Sequence, residues 1–504
     1  MSETREQVNQ KVTLGVIWML LLRVSTRTIG IVSTIILARL LTPEDYGLVA
    51  LAMSVYMLLE MFAAFGVDFS LVQKKHLERA DYDSAFTFQC ICYSTLSLIL
   101  ALSAHQVGNF FDDARLVPII WLLSVNMVMS GLNNIALVDF RRELQFDKEF
   151  KLNISVKLIG FFITVYLAYE LRSYWALVIG ASLSRFFLLL MGYWFRPYLP
   201  RICFSRIGEI FNFSRWLLVM NFAAFIRKQL PNVVLGKVVS SSAVGLHSLG
   251  SEVGQSVTQE LTAAMNRPVY SGFAKLSHDI QELRKNFLEV LSLQAVLILP
   301  LGFGVASVSE LLVSVLLGEK WTELGEPLIF LSLGFAVSGI SSCCIYIYMA
   351  LDKSKYCFIT SFVGLLVFAP QVFLLVESHG LLGVVYAHLI TSVLVAVLAY
   401  AIVANVLQTS LLHICRAFWR PYMAAIAMFT LERYWVLNAV ESLSALEAIQ
   451  LIAAVGVGAS VYLFVLYGLW LLSGRPHGAE RVVIDWLAAR VRTIANRRVN
   501  ATQS

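Results

Sequence analysis

Fourteen apolar stretches run along this 504-residue chain, and the basic residues between them alternate between two sides. The stretches lie near residues 14–37, 47–72, 85–108, 115–138, 152–171, 174–195, 214–236, 245–265, 287–317, 328–351, 356–376, 381–405, 417–435 and 448–472. With the N-terminus placed in the cytoplasm, 27 Lys and Arg residues fall on the cytoplasmic side and six on the other. This is the positive-inside pattern of helical membrane proteins. It predicts a multi-pass protein of the cell's inner membrane, with both termini in the cytoplasm.

Composition supports a chain that lies in the lipid bilayer. It is 58% hydrophobic and only 14% charged. Backbone groups in lipid must be satisfied within their own segment, so stretches of this length and apolarity predict helices. The expected fold class is therefore all-α, with about 14 transmembrane helices. The net charge of +6 matches anionic lipid at the inner leaflet, and it does not indicate a nucleic-acid partner.

An internal repeat divides the chain. Residues 36–52 and 234–250 are similar at an offset of 198, and both join an odd span to an even span on the outer side. The matched pairs include Leu37 with Leu235, Gly47 with Gly245, Leu48 with Leu246 and Leu51 with Leu249. Both halves start inside, so the repeat is parallel, and transporters built from two halves usually hold their substrate between them.

Four segments follow from this division. Spans 1–6 form an N-terminal six-helix bundle at 1–205, and spans 7–12 form a second one at 206–405. Spans 13 and 14 occupy 406–474 as two extra helices. Within the basic tail at 475–504, apolar residues alternate with arginines, which predicts an amphipathic helix on the cytoplasmic leaflet.

Six basic residues lie inside the predicted spans and away from their ends, and all are in spans 1–7. They are Arg23, Arg27, Lys157, Arg185, Arg227 and Lys228. A charge at bilayer depth costs at least about 2.5–3.5 kcal/mol, so each needs a function or a partner. Arg23 and Arg27 share one helix face because they are four residues apart. In spans 1–7 the basic residues outnumber the acids, which predicts a cationic cavity for an anionic substrate. A diphosphate, a uronate, a sialate and an organic acid all fit this prediction.

Ion pairing within the protein is the alternative role for these cations. Arg23 and Glu60 lie at similar distances from the first outer hairpin, so they are a candidate ion pair. Arg227 and Glu252 flank the matching hairpin of the second half and form a second candidate pair. Glu60 and Glu252 are thus candidates for ion pairing or for coupling to an ion. No acid at a matching depth is evident for Arg27 or Arg185.

Several short motifs resemble a known transporter family. They are ARLLTPEDYGLVA at 38–50, FGV at 65–67, FRRELQF at 140–146, NRPVYSGFAKL at 266–276, LLGEKW at 316–321 and GLLGVVYA at 380–387. The chain resembles the polysaccharide exporters and lipid-linked oligosaccharide flippases of the multidrug/oligosaccharidyl-lipid/polysaccharide superfamily. The resemblance is greatest to the branch that exports colanic-acid, teichuronic-acid or exopolysaccharide repeat units.

This resemblance implies a fold and a substrate. The fold is two six-helix bundles in a V shape, as in multidrug exporters of the superfamily. The substrate is an undecaprenyl-diphosphate-linked repeat unit, turned from the inner to the outer leaflet by alternating access. H⁺ or Na⁺ is the expected coupling ion, and polysaccharide polymerases are the expected protein partners. Relatives often carry an acid in span 7, whereas residues 227–232 of this chain contain none.

Two other functions compete with this one. A cation-coupled multidrug antiporter of the same superfamily would favour a cavity dominated by acids. A membrane-embedded polysaccharide polymerase or ligase would need a sizeable outer loop, and none of the predicted outer loops is long. We find no nucleophile–base pair, no metal-ligand cluster and no glycine-rich phosphate loop in the sequence. A transporter without a catalytic site or a cofactor is therefore expected. The Thr42-Pro43-Glu44-Asp45 motif is expected to cap span 2.

Overall fold

A computed structural model describes residues 5–63, 71, 74, 77–207, 225–436 and 446–474. This part of the chain is helical throughout and contains no β-strand. We number its helices in chain order. They are α1 Arg5–Leu40, α2 Pro43–Ala63, α3 Arg79–Leu102, α4 Ala104–Phe110, α5 Leu116–Gly131, α6 Val138–Arg142, α7 Phe146–Leu171, α8 Trp175–Phe195, α9 at 225–238, α10 Ser241–Lys275, α11 Ile280–Ser307, α12 Ser309–Leu316, α13 Gly325–Ser341, α14 Cys343–Ala350, α15 Lys355–Val406, α16 Leu411–Leu431 and α17 Glu447–Leu472.

Nine membrane-length apolar helices are found in the described ranges, and a bent pair makes up to ten. The bent pair is α5 with the short helical turns at 135–142, which meet at 59°. The chain is therefore a multi-pass membrane protein. The count of fourteen spans stays a prediction, since span 7 and the basic tail lie partly or wholly outside the described residues.

Some predicted span boundaries need correction. Predicted span 9 ends early, because α11 stops at Ser307 and the short α12 follows. The division between predicted spans 11 and 12 agrees with the structure, since the helical backbone of α15 is interrupted at Gly380 with φ 55° and ψ −126°. That φ is positive, a conformation in which glycine avoids the steric cost of a Cβ atom. The polar residues 377–379 between the two apolar runs indicate this break in the sequence.

The predicted cap at the start of α2 is confirmed. The Asp45 backbone N–H donates to the Thr42 hydroxyl at 3.3 Å, and the Asp45 carboxylate accepts from the Thr42 N–H at 3.0 Å. This reciprocal arrangement satisfies backbone donors at the helix N-terminus. The other Asp45 oxygen accepts the N–H of Tyr174 at 2.9 Å, just before α8. The motif therefore joins two helix ends on one side of the protein.

The described chain forms two compact units, Met1–Ser248 and Leu249–Ser504. In the first, α1 packs along α7, α7 along α8, and α3 along α5. In the second, α11 packs against both α13 and α16, and α17 lies along α16. The unit boundary falls inside α10, so the first unit includes the α9–α10 hairpin that the repeat assigns to the second half. The division of the repeat at residue 205 stays a prediction.

Candidate functional site

A half-buried ion pair joins α2 to α8 in the first unit. Arg185 Nη2 lies 3.0 Å from Glu60 Oε1, and the Tyr56 hydroxyl donates to the same oxygen at 3.3 Å. Tyr56 itself is only 1% exposed. Glu60 therefore accepts from one cation and one neutral donor at its Oε1 atom. A charged pair in this setting has lost part of its hydration, so a competing anion can exchange with the Glu60 carboxylate at Arg185.

The partner of Glu60 corrects one expectation. The sequence provided no acid of matching depth for Arg185. Glu60 lies 17 residues into α2 and Arg185 lies 10 residues into α8, a difference of about 10 Å for straight helices at 1.5 Å per residue. The long side chains bridge this difference. Depth counted along the chain therefore missed a pair that tertiary packing brings together.

The remaining candidate residues lie elsewhere. Arg23 and Arg27 are half-buried on α1, which packs along α7. Exposed positions are occupied by Lys157 on α7 and by Arg227 and Lys228 on α9. Glu252 lies on α10 in the second compact unit. The structure thus brings together Arg185 and Glu60 from the predicted set, and the roles of the others stay predictions.

A chain of neutral polar side chains was not predicted from the sequence. Ser54 on α2 donates to Gln229 Oε1 on α9 at 3.1 Å. Asn232 donates to the same Gln229 oxygen at 3.4 Å, and its own Oδ1 lies 3.1 Å from His247 Nδ1. Ser54, Gln229 and His247 are all buried. Four polar residues on three apolar helices form a connected network, which is how buried polar groups avoid a desolvation cost.

Beside this network, the two copies of the repeat meet in a close contact that is reciprocal. A Cβ atom on Gly47 would lie 1.6 Å from the Ser241 carbonyl oxygen. A Cβ on Gly245 would lie 1.8 Å from the Pro43 carbonyl oxygen. At the repeat offset of 198, Gly47 corresponds to Gly245 and Pro43 to Ser241. Gly47 thus faces Ser241, and Gly245 faces the equivalent residue Pro43. Such an exchange of equivalent contacts is what a two-fold axis produces.

Loops predicted to share a side are also paired with each other. Arg115 contacts Glu44 and Asp113, each at 2.7 Å, and the predicted alternation puts the connections that carry them on the outer side. The Arg115 side chain and backbone N–H donate to Asp113, which holds the pKa of this carboxyl below its usual range. On the opposite side, Asp139 accepts from Arg196 at 2.8 Å. These contacts agree with the predicted alternation of loops.

Three buried carboxylates anchor the opposite side of the first unit. They are Asp81, Asp83 and Asp139. Asp81 accepts from Lys74 at 2.8 Å, and Asp83 accepts the hydroxyl of Tyr198. Asp139 accepts the hydroxyl of Tyr82 in addition to Arg196. Because each of these three carboxylates accepts a hydrogen bond from a neighbouring side chain, they stabilise packing at the end of the helices and are not free for a ligand.

Comparison with known proteins gives a consistent set of relatives. The family model described as "Polysaccharide biosynthesis protein" matches residues 36–326. The lipopolysaccharide biosynthesis protein WzxC of Escherichia coli is 24% identical over 83% of this chain and 86% of its own length. The teichuronic acid biosynthesis protein TuaB of Bacillus subtilis is 20% identical, covering 80% of this chain and 84% of TuaB.

Solved structures show which fold the helices form. A lipid II flippase MurJ in an inward closed conformation has a TM-score of 0.73 at 14% identity, covering 90% of this chain and 99% of MurJ. An inward-facing multidrug resistance MATE transporter has a TM-score of 0.58 at 13% identity, covering 76% and 96%. At these identities the similarity concerns the fold alone. Two transporters of different substrates therefore share the helix arrangement found here.

Proposed function

Because the chain belongs to the polysaccharide biosynthesis protein family, we propose that it moves an undecaprenyl-diphosphate-linked oligosaccharide repeat unit across the inner membrane. The observation that carries this proposal is the family match over 36–326, which includes the helices that hold Glu60 and Arg185. The protein acts as a flippase or exporter and not as an enzyme. Names of relatives such as the succinoglycan biosynthesis transport protein ExoT of Rhizobium meliloti support a polysaccharide precursor as cargo.

The proposed architecture has fourteen spans. Two six-helix bundles at 1–205 and 206–405 are related by an axis along the membrane normal in a V shape, and spans 13 and 14 lie outside the pair. The reciprocal Gly47–Ser241 and Gly245–Pro43 contacts support such an axis. Similarity in fold to MurJ and to a MATE transporter supports it as well. Rocking of the halves about their matched hairpins alternates access to the two leaflets.

The cations of the first half hold the anionic part of the cargo in this proposal. Guanidinium groups bind phosphate oxygens bidentately, and several moderate contacts allow release. Arg23, Arg27, Lys157, Arg185, Arg227 and Lys228 are the candidate binding residues. Glu60 competes with the diphosphate for Arg185, since both are anions for the same guanidinium. Protonation of Glu60, or a Na⁺ ion beside it, releases Arg185 and couples ion entry to cargo binding. Glu252 is the corresponding candidate in the second half.

Transport into vesicles tests the proposal. Inside-out vesicles containing the purified full chain are given a fluorescent polyprenyl-diphosphate oligosaccharide, and the fraction protected from a membrane-impermeant quencher is measured. We expect Arg185→Gln and Arg27→Gln each to lower the initial rate about tenfold, the loss of roughly 1.4 kcal/mol of charge-assisted binding. Lys151→Gln removes a charge from an exposed pair with Asp147 and serves as the control. Normal rates in both arginine variants contradict a cationic binding site.

A second measurement distinguishes the flippase from the competing multidrug antiporter. Cells that express the protein are tested for resistance to cationic drugs and for restored polysaccharide export in a strain without an exporter. Restored export without drug resistance supports the flippase. Drug resistance without export identifies a multidrug antiporter instead.

Topology is tested with single cysteines in a cysteine-free background. Positions 44, 113 and 323 are expected to react with an impermeant thiol reagent applied from outside, whereas position 144 and both termini are protected. Labelling at position 144 from outside overturns the proposed orientation in the inner membrane.

A further inference from the structure

A cationic pocket lies at one end of the last two helices, α16 and α17. It is an open cavity of about 510 Å³. Its lining residues come from the first turns of α16 and from the residue that ends α17, and they are Leu412, Cys415, Arg416, Trp419, Arg420 and Ser473. Two of the six are arginines and none is acidic. The described lining therefore favours an anion.

The two arginines are arranged to meet the same ligand. Arg416 and Arg420 are four residues apart on α16, so they lie on one helix face. Arg416 is exposed, whereas Arg420 is only 8% exposed. Helix α16 begins at Leu411 and includes both arginines. The spacing of Arg420 from Arg416 was the available indication of a shared site.

The depth of the pocket matches the headgroup region of one leaflet. Ser473 follows the last residue of the 26-residue helix α17, which is long enough to cross the hydrocarbon core at 1.5 Å per residue. Arg416 and Arg420 lie within the first three turns of α16, which starts on the same side. Helical side chains lean toward the N-terminus, which brings both guanidinium groups closer to the membrane surface.

The rest of the pocket has the composition of a membrane interface. Trp419 is 41% exposed, and tryptophan is enriched at the headgroup level. Leu412 is largely exposed beside it and offers an apolar contact for an acyl chain. Residues 475–504, which follow Ser473 in sequence, contain six arginines and two acids. Basic pockets between transmembrane helices on the cytoplasmic side bind anionic lipid headgroups.

We propose that this pocket binds the phosphate headgroup of an anionic phospholipid of the inner leaflet. The lipid phosphate lies between Arg416 and Arg420, the indole of Trp419 lies at the level of the glycerol ester groups, and one acyl chain runs along Leu412. The site is separate from the cations of the first unit and does not depend on transport of an oligosaccharide. A polyprenyl diphosphate offers the same phosphate chemistry, so the two sources are distinguished by experiment.

Native mass spectrometry of the purified full chain tests the site. The delipidated protein is titrated separately with phosphatidylglycerol, with phosphatidylcholine of the same acyl chains and with decaprenyl diphosphate. We expect phosphatidylglycerol to bind more tightly than phosphatidylcholine. In the Arg416→Gln/Arg420→Gln variant its apparent Kd is expected to rise about tenfold or more through the loss of two charge-assisted contacts.

Control variants distinguish the pocket from general surface charge. Lys353→Gln/Lys355→Gln removes two charges from the connection between α14 and α15, also predicted inside, and is expected to change the Kd less than about twofold. Arg416→Gln alone keeps the buried Arg420 and tests the site if the double variant does not fold. Unchanged phosphatidylglycerol affinity in both Arg variants overturns the proposal. A loss confined to decaprenyl diphosphate overturns the assignment to a bilayer phospholipid.

Discussion

The two compact units achieve stability in different ways. In Met1–Ser248, buried carboxylates such as Asp139 are matched to cations and tyrosines, and Glu60 is paired with Arg185. In Leu249–Ser504, large clusters of Leu, Ile, Val and aromatic residues fill the interfaces of α11, α13, α15 and α16. A buried acid occurs there too, but Glu432 accepts from the neutral hydroxyl of Ser307 at 2.7 Å. The first unit therefore adds a polar framework to its apolar clusters, whereas the described core of the second unit is mainly apolar.

Under the proposed function, this difference implies different roles for the two units during transport. Charged pairs that share a partner can be rearranged by a competing anion or a proton, whereas close-packed apolar interfaces move as rigid bodies. We therefore expect cargo-dependent changes to concentrate in the first unit.

Loss of a core aromatic side chain is expected to have the largest effect. Phe287 is fully buried in the second unit, beside Phe273 and Tyr348. Phe287→Ala should lower the free energy of unfolding by about 3–4 kcal/mol, from lost packing and the cavity left behind. Thermal unfolding of the protein in nanodiscs measures it. Phe358→Ala, at an exposed position, is the control and should cost less than about 1 kcal/mol. Equal losses in the two variants would show that the apolar clusters do not dominate the stability of the second unit.

Removal of a buried carboxylate is the matching test in the first unit. Asp139→Ala leaves Arg196 and the Tyr82 hydroxyl without their shared acceptor, so we expect a loss of about 3 kcal/mol. Asp147→Ala breaks the exposed pair with Lys151 and should cost at most about 0.5 kcal/mol. The same unfolding measurement applies to both. A cost below 1 kcal/mol for Asp139→Ala would remove the basis for calling this framework polar.

The close contact between the repeated hairpins sets the next prediction. Gly47→Ala places a methyl group into the Ser241 carbonyl, and Gly245→Ala does the same at Pro43. Each should cost about 2 kcal/mol because backbone cannot move away as a side chain can. Gly30 has open space around its would-be Cβ, so Gly30→Ala should be neutral or stabilise the protein by up to about 1 kcal/mol. Tolerance of Ala at both hairpin glycines would contradict the reciprocal contact.

Several of these features were accessible from the sequence and several were not. Apolar length predicted membrane helices, and Thr42 with Asp45 predicted the cap, because both depend on nearby residues. The matched glycines indicated equivalent hairpins but not their direct contact. Contacts between residues far apart in sequence were harder to predict. The Arg185–Glu60 pair and the Ser54–Gln229 bond join helices whose relative depth and rotation are set by packing, which no local pattern encodes. The break at Gly380 was accessible, because the polar residues 377–379 separate two apolar runs at that point.

The smallest effect concerns the exposed ion pairs of the first unit and their pH dependence. Donation from Arg115 lowers the pKa of Asp113 in the folded protein. A lowered folded pKa stabilises the fold above the unfolded value of about 3.9, and this contribution is lost as the pH falls through the folded pKa. Asp113→Asn should therefore destabilise by about 0.5–1 kcal/mol at pH 6, given solvent screening. The difference from wild type should shrink as the pH is lowered below about 4.

Unfolding midpoints measured from pH 6 to pH 3 follow this difference. Asp112→Asn is the matched control, since Asp112 pairs with Lys237 at 2.7 Å in an exposed position and Asn tolerates its positive φ of 55°. We expect that control to stay within about 0.5 kcal/mol of wild type. If the Asp113→Asn difference instead persists unchanged at pH 3, the Asp113 carboxylate does not provide the stabilisation, and the contrast between the units rests on buried pairs such as Asp139–Arg196 alone.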